Sequence, residues 1–342
     1  MTYPLELTRS YFDSLSDGDI ERVIELAHPD VVIDRSRSRG PWRGIEHGHD
    51  GIRASWPRVR EAFSNLAWRL VQTRRLGSGV AAIGTELSGR GAGSGIEISG
   101  RGGWTTRFEA GKLREAALHQ SFAEALAAGR KQALNHARLY FACEGRPGGG
   151  DPAPLLDAAL AGGVDVIQLR EKNEMSDDEI AALALPFRQA AEDHGALFFL
   201  NDRPDLVAAC GADGVHVGQD DAPVAEARAA AGPGALVGLS THSPEQFNAA
   251  LAAEGDARPD QLSAGPVWET PTKEGRRAAG LELIRHAAGS AGDAPWFAIG
   301  GIDGSNVGDV VEAGARRIVV VRAVRDAADP EAAASELRAR LG

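Results

Sequence analysis

The chain has 342 residues, long for one domain and comfortable for two, and its 43% hydrophobic and 25% charged content supplies apolar material for two cores. The net charge of −11 excludes a general nucleic-acid binder, which needs a basic stripe to displace counterions. An anionic small molecule remains admissible, through local Arg, Lys and backbone donors.

The start, MTYPLELTRSYF, lacks a basic stretch followed by an apolar run, so no signal peptide is expected. No segment offers the ~20 consecutive apolar residues of a membrane span. Cys143 and Cys210 lie far apart in apolar surroundings, in no CxxC pair or metal-ligand spacing. They read as buried thiols of a reducing cytoplasm.

In chain order, Leu5, Leu7, Tyr11, Phe12 and Leu15 form the apolar stripe of an opening helix. Asp17 or Asp19 is placed to cap a second helix, with Ile20, Val23 and Ile24 on one face. Strand-like alternation follows at Leu66, Trp68 and Leu70, at Ile96 and Ile98, and at Trp104, Thr106 and Phe108. Gly89, Gly91, Gly93 and Gly95 lie between strand-like segments rather than before a helix, which favours a flexible hairpin over a dinucleotide loop. Glu109–Lys112 reads as a hairpin turn, and Ser121–Ala128 as a short helix ended by Gly129. His47, His49, Asp50 and Asp34 are acid/base candidates or, equally, surface-loop residues beside Trp42 and Gly44. His119 reads as structural. Trp56, Phe63, Trp68, Trp104 and Phe108 read as core first and ligand-cavity lining second.

Helices followed by a run of strands predict an α+β domain over residues 1–130, a helix-covered curved antiparallel sheet. The segments SDGDIERVIELAHPDVV (16–32), GRGGWTTRFEAGKL (100–113) and HQSFAEALAAG (119–129) resemble the SnoaL-like, nuclear transport factor 2-like superfamily, which implies a cone-shaped sheet. Such folds host enzymes, binders and dimerisation modules alike, so the role of this domain stays open. Residues 131–137 form a short linker with little Gly or Pro, able to be helical.

From 138 to 342 the rhythm becomes strand, loop, helix. The apolar stretches are Leu139–Cys143, Val166–Leu169, Leu197–Leu200, Gly214–Val217, Leu236–Leu239, Leu262–Val267, Trp296–Ile299 and Ile318–Val321. Alternating β and α units force right-handed crossovers and a parallel sheet. Eight of them predict an α/β fold, a (β/α)8 TIM-type barrel; an open doubly wound sheet shares the period, but the count favours closure.

In such barrels functional groups sit at the C-terminal ends of strands and in the loops that follow. There the sequence places Gln168, Leu169, Arg170, Glu171 and Lys172; Asn201 and Asp202; Asp221; Ser240 and His242; Thr270, Pro271, Thr272 and Lys273; Gly300 and Gly301; and Val321 with Arg322. Arg170, Lys172 and Lys273 are cations suited to phosphoryl oxygens. Asp202 and Asp221 are hard oxygen ligands suited to Mg²⁺, or else helix caps. Gly300-Gly301 and the loop after strand eight match a backbone phosphate pocket. Two anion sites, one with a metal, suit a reaction between a diphosphate and a monophosphate.

The motifs VIQLREK, FLNDR, ADGVHVGQDD, VGLSTHS, GPVWETPTK, FAIGGI and VVVRAV resemble, in order and spacing, the thiamine-phosphate synthase family across the whole barrel. The resemblance implies a Mg²⁺-dependent transferase coupling hydroxymethylpyrimidine diphosphate with hydroxyethylthiazole phosphate to give thiamine phosphate and diphosphate. It implies that Gln168 to Lys172 and Asn201 hold the pyrimidine diphosphate, and that Asp202 and Asp221 ligate Mg²⁺. Ser240 and Lys273 would also meet the diphosphate, and with Arg170 and Lys172 they are the catalytic candidates. Thr270, Pro271 and Thr272 would lie along the thiazole phosphate, and Gly301, Val321 and Arg322 would complete its cup. Arg322 stands where the family often has serine, which leaves its backbone amide in place and its side-chain role open. His216 reads as core or as support behind the site. The rivals are a thiazole tautomerase, opposed by the Asp202/Asp221 pair and by Pro266 where a tautomerase histidine is sought, and a non-catalytic ligand sensor. A homo-oligomer stays open.

Overall fold

The computed structural model describes residues 4–38, 40, 42–171, 173–269 and 278–342. The chain divides into two compact units, Met1–Ala133 and Leu134–Gly342.

In the first unit, helices α1 (Pro4–Asp17), α2 (Ile20–Leu26) and α3 (Gly48–Ala62) pack on strands β1 (Ala27–Asp34), β2 (Ile45–His47), β3 (Phe63–Gly77), β4 (Val80–Gly91), β5 (Glu97–Glu109) and β6 (Lys112–His119). The sheet order is β2-β1-β6-β5-β4-β3. The predicted helix stripes supply its core: Phe12, Leu15, Val23 and Ile24 pack with Ile83, Trp104 and Phe108 from the strands. Asp19 caps α2, its Oδ1 accepting the Arg22 N–H at 3.0 Å. The β5–β6 hairpin turns through Ala110 (φ 49°) and Gly111 (φ 76°), a pair of left-handed residues that matches the twist of the strands.

Three expectations for this unit need correction. The sheet is not wholly antiparallel: β1 and β6 run parallel, free to do so because no hairpin joins segments so distant in sequence. Ile96 lies outside β5, in its approaching turn, and is 66% exposed. Gly129 does not end a helix. Helix α4 (Phe122–His136) runs through it, so residues 131–136 continue a helix. The glycine is there for contact, since a Cβ would stand 2.7 Å from Leu76 Cδ1.

In the second unit, β7 (Leu139–Cys143), β8 (Val166–Leu169), β9 (Leu197–Asn201), β10 (Gly214–Val217), β11 (Leu236–Thr241), β12 (Gln261–Ala264), β13 (Trp296–Ile299) and β14 (Ile318–Val320) close, among the described residues, into an eight-stranded parallel barrel. Around it lie α5 (Ala153–Ala161), α6 (Asp177–His194), α7 (Val207–Cys210), α8 (Val224–Ala231), α9 (Pro244–Ala252), α10 (Gly280–Ser290), α11 (Val307–Glu312), α12 (Arg322–Arg325) and α13 (Pro330–Arg340). β12 ends at Ala264 rather than Val267, where Gly265 and Pro266 interrupt the ladder.

Strand alternation divides the barrel into two environments. Leu139, Phe141, Cys143, Ile167, Leu169, Phe198 and Leu200 point outward into the core shared with the helices. Their neighbours Tyr140, Phe199 and Phe297 point inward and fill the barrel, with ring centroids 5.8 and 5.6 Å from Tyr140. Aspartates just before the strands fasten the closed end. Asp165 Oδ2 accepts the Arg138 and Leu139 amides at 2.7 and 3.1 Å, Asp213 Oδ2 the Phe198 amide at 3.1 Å, and Asp260 Oδ2 the Val237 amide at 2.9 Å. With one end tied by side chains, the strand ends opposite are left for function.

Candidate active site

A cavity of about 320 Å³ occupies the C-terminal mouth of the barrel. Of the residues singled out from sequence, Gln168, Arg170, Asn201, Asp202, Asp221, Ser240, Gly301, Val321 and Arg322 line it. Leu169 and Glu171 do not; they border an adjoining hollow that shares Asn201 and Asp202. Leu169 is packed into the helix-facing core, and Glu171 Oε1 accepts the Gly145 amide at 2.6 Å, fastening the loop after β7 to that after β8. Lys172, Thr270, Pro271, Thr272 and Lys273 lie outside the described residues.

Along one wall the side chains form a directed chain. Gln168 Nε2 donates to Asn201 Oδ1 at 3.0 Å, and Asn201 Nδ2 donates to Asp202 Oδ2. Asp202 holds a left-handed φ of 59°, uncommon for a residue with a side chain and a mark of a constrained position. Asp221 is aimed by its own loop, its Oδ2 accepting the Gly218 amide at 2.6 Å. Burial pushes the Arg170 guanidinium's pKa down while Asp202 and Glu144 oppose the shift. Arginine keeps its charge under such shifts, so among the described residues Arg170 and Arg322 bring positive charge to a cavity that Asp202 and Asp221 also line. Arg203 and Arg325 are spent elsewhere: the first is paired with Asp177 and Asp205, the second with Glu144 and Asp326. Among the described residues no group of three or more His, Cys, Asp or Glu is arranged to hold a metal. The Asp202/Asp221 pair fits Mg²⁺ by a different logic, because that ion commonly takes one or two carboxylates and completes its shell with phosphate oxygens and water.

A second wall carries a relay in which His216, read from sequence as core or as support behind the site, stands behind Ser240. Gln261 Nε2 lies 2.8 Å from His216 Nδ1, and His216 Nε2 lies 2.9 Å from Ser240 Oγ. With the Gln261 amide as donor, Nδ1 accepts and the ring proton resides on Nε2, which donates to Ser240 Oγ. The Ser240 hydroxyl proton is thereby turned toward other acceptors. Gly238 makes this possible: a Cβ there would stand 2.2 Å from Gln261 Nε2 and 2.5 Å from His216 Nδ1.

The third wall is backbone. Gly300 (φ 109°) and Gly301 (φ 69°) take conformations that side chains disfavour, and a Cβ on Gly300 would stand 2.5 Å from Pro266 Cα. Asn306 Nδ2 donates to Gly301 O at 2.8 Å and fixes that peptide. His242, placed on this rim from the sequence, also lines the cavity, as do Tyr140 and Ser263, which were missed. His242 Nδ1 donates to Gly265 O at 2.6 Å. The signal that finds Tyr140 and Ser263 is a polar group on the inward position of an otherwise apolar barrel strand.

In the first unit, the acid/base candidates Asp34, His47, His49 and Asp50 do not line its cavity, whereas His119, Trp56, Trp68 and Trp104 do. His49 Nε2 is 3.2 Å from Ala27 O, and Asp34 Oδ1 accepts the Ser36 amide at 2.8 Å; the Ser36 side chain above all, with that amide, holds the Asp34 carboxyl below the usual range against burial.

A closed parallel barrel whose mouth sets a guanidinium and paired carboxylates opposite a glycine-built lip defines an enzyme of the phosphate-handling (β/α)8 class. Residues 139–324 match the family model described as thiamine monophosphate synthase, and residues 8–116 that described as SnoaL-like domain. The chain is 51% identical over 211 residues to the thiamine-phosphate synthase of Acidothermus cellulolyticus, a match covering 62% of this chain and 98% of the relative. It is 50% identical over 208 residues to that of Streptomyces avermitilis, covering 61% and 95%. The thiamine phosphate pyrophosphorylase of Pyrococcus furiosus superposes with a TM-score of 0.54 at 34% identity, over 61% of this chain and 96% of that one. The chain belongs to the thiamine monophosphate synthase family; its C-terminal barrel is a transferase of the thiamine-phosphate synthase kind, preceded by a SnoaL-like domain.

Proposed function

We propose that the barrel, residues 138–342, joins hydroxymethylpyrimidine diphosphate to hydroxyethylthiazole phosphate, releasing diphosphate and forming thiamine phosphate. The observation that carries this reading is the single cavity in which Arg170 and the Asp202/Asp221 pair stand opposite the Gly300-Gly301 lip. The first set suits a diphosphate with its metal; the second suits a monophosphate bound by backbone amides.

In the reaction the bond between the pyrimidine methylene carbon and the diphosphate oxygen breaks, its electron pair leaving with diphosphate. The thiazole nitrogen supplies the pair for the new carbon–nitrogen bond. No proton need move at the reacting carbon, so the residues contribute position and charge rather than acid/base transfer. Arg170, with Lys172 and Lys273, stabilises the negative charge gathering on the departing group. Asp202 and Asp221 would hold Mg²⁺, which when bound would neutralise diphosphate charge. Ser240, oriented by His216, donates a hydrogen bond to a diphosphate oxygen. Gln168 and Asn201 recognise the pyrimidine diphosphate and align Asp202. Thr270, Pro271, Thr272, Gly301, Val321 and Arg322 receive the thiazole phosphate. An enzyme binding only the thiazole phosphate would have no use for two aspartates on the opposite wall. The free, buried thiols Cys143 and Cys210 suit a reducing compartment, which supports a cytoplasmic enzyme. Incubating the chain with both phosphorylated precursors and Mg²⁺, then measuring thiamine phosphate, tests the proposal; no product would reject it.

A further inference from the structure

The floor of the barrel cavity carries a polar group for which no protein partner stands among the described residues. Tyr140, on β7, lines the cavity and is 1% exposed. It sits one inward position deeper than Ala142, which pairs in register with Gln168 of β8. Phe199 and Phe297 flank its ring, with centroids 5.8 and 5.6 Å away. A third phenylalanine would fill that space equally well. The chain instead places a hydroxyl there, and among the described residues its buried oxygen has no hydrogen-bond partner. Buried polar groups are ordinarily satisfied, and one left unpaired lowers stability. A group that costs stability and borders a cavity points to a guest.

The chemistry of the guest follows from the reaction proposed above, and the inference rests on that reading. Burial pushes the Tyr140 hydroxyl's pKa well above its ordinary value, so it stays a neutral donor and acceptor rather than a phenolate. Phosphates belong elsewhere: Arg170, Asp202 and Asp221 lie beyond the C-terminal ends of their strands, whereas Tyr140 lies within its own, among aromatic rings. A ring fits the floor. Of the two rings that the reaction joins, the thiazole uses its nitrogen as the nucleophile. A hydroxyl donating there would tie up the electron pair that forms the new bond. The pyrimidine keeps both ring nitrogens outside the bonds that break and form. It also belongs to the substrate assigned to Gln168, the polar side chain one layer above on the neighbouring strand.

We propose that the Tyr140 hydroxyl donates a hydrogen bond to a ring nitrogen of the pyrimidine and so selects that ring at the cavity floor. The test is steady-state formation of thiamine phosphate by the full chain and by Tyr140→Phe, with each substrate varied in turn. The variant should raise the KM for the pyrimidine diphosphate roughly tenfold and leave that for the thiazole phosphate within about threefold. Its melting temperature should be unchanged or higher, because it removes an unpaired buried hydroxyl. Two pyridine analogues of the diphosphate, each with one ring nitrogen replaced by CH, complete the cycle. With the native chain one of them should show a KM raised roughly tenfold, and Tyr140→Phe should add less than about threefold to that loss. No product from the native chain would overturn the reading of the barrel together with this one. With an active native chain, four results would each overturn the role of Tyr140 alone. These are an unchanged KM for the pyrimidine diphosphate, a rise confined to the thiazole phosphate, fully additive losses with both analogues, or a lowered melting temperature that makes the hydroxyl structural.

Discussion

Gln261 touches no substrate in the proposed reaction, yet its replacement should slow catalysis, and the reason is a proton's location. At 1% exposure its amide donates to His216 Nδ1, which fixes the ring proton on Nε2 against Ser240 Oγ. Gln261→Leu keeps comparable bulk but removes the donor. The ring then takes its other tautomer, Nε2 becomes an acceptor, and it draws the Ser240 proton away from the diphosphate. A hydrogen bond to a charged group contributes about 1.5–3 kcal/mol. Losing it at the transition state should lower kcat/KM by roughly 10- to 150-fold. Ser240→Ala should show a similar loss. The double variant decides the matter, because in the Gln261→Leu background Ser240→Ala should cost less than about threefold. Gly238→Ala should mimic Gln261→Leu, since its Cβ would collide with both Gln261 and His216. The assay is steady-state production of thiamine phosphate. Fully additive losses would show that Gln261 and Ser240 act independently and would refute the relay.

The metal is tested by chelation: EDTA should abolish turnover, Mg²⁺ should restore it, and Asp202→Ala or Asp221→Ala should each cost at least ~10²-fold in kcat. Activity at full rate in chelator would remove the ion from the mechanism. The two anion sites should separate kinetically. Gly301→Val, strained at φ 69° and with a Cβ 3.0 Å from Trp268 Cβ, should raise the KM for the thiazole phosphate, whereas Lys273→Ala should weaken use of the diphosphate; both variants acting on one substrate would refute two sites. A chain beginning at Arg130 should fold and keep most activity, because it retains the Asn135 and Ala137 carbonyls that accept from Arg317 at 2.8 and 3.1 Å. A folded but inactive truncated chain would place an essential group in residues 1–129.

The barrel was legible because parallel strands covered on both faces read as short apolar runs between helical segments. The same property hid part of the site. In a run such as Gly214–Val217 a histidine is one letter among apolar neighbours, and nothing local distinguishes a ring in the helix-facing core from one facing the mouth. His216 declares its direction only through partners 24 and 45 residues away, Ser240 and Gln261. Gly129 misled for a related reason. Its signature of a helix end is backbone freedom, but its use is close approach to Leu76, a residue from a strand 53 positions earlier.

A contiguous motif is also not a contiguous site. Successive side chains of a strand point to opposite faces, so Gln168-Leu169-Arg170-Glu171 cannot all enter one cavity. Gln168 and Arg170 line the mouth, whereas Leu169 packs toward the helices and Glu171 turns aside to clasp Gly145. The motif therefore combines two kinds of constraint. Its even-numbered members face the cavity, and its odd-numbered members position the strand and loop that carry them. Glu171→Gln is the change that separates these roles. It keeps an oxygen to accept the Gly145 amide and removes only the charge, so it should leave the KM for the diphosphate within about threefold, the scale of a surface electrostatic change. Glu171→Ala loses the clasp as well, and a missing charge-assisted bond of about 1.5–3 kcal/mol should appear as lowered thermal stability. A large KM effect from Glu171→Gln at unchanged stability would place the carboxylate in direct contact with substrate instead.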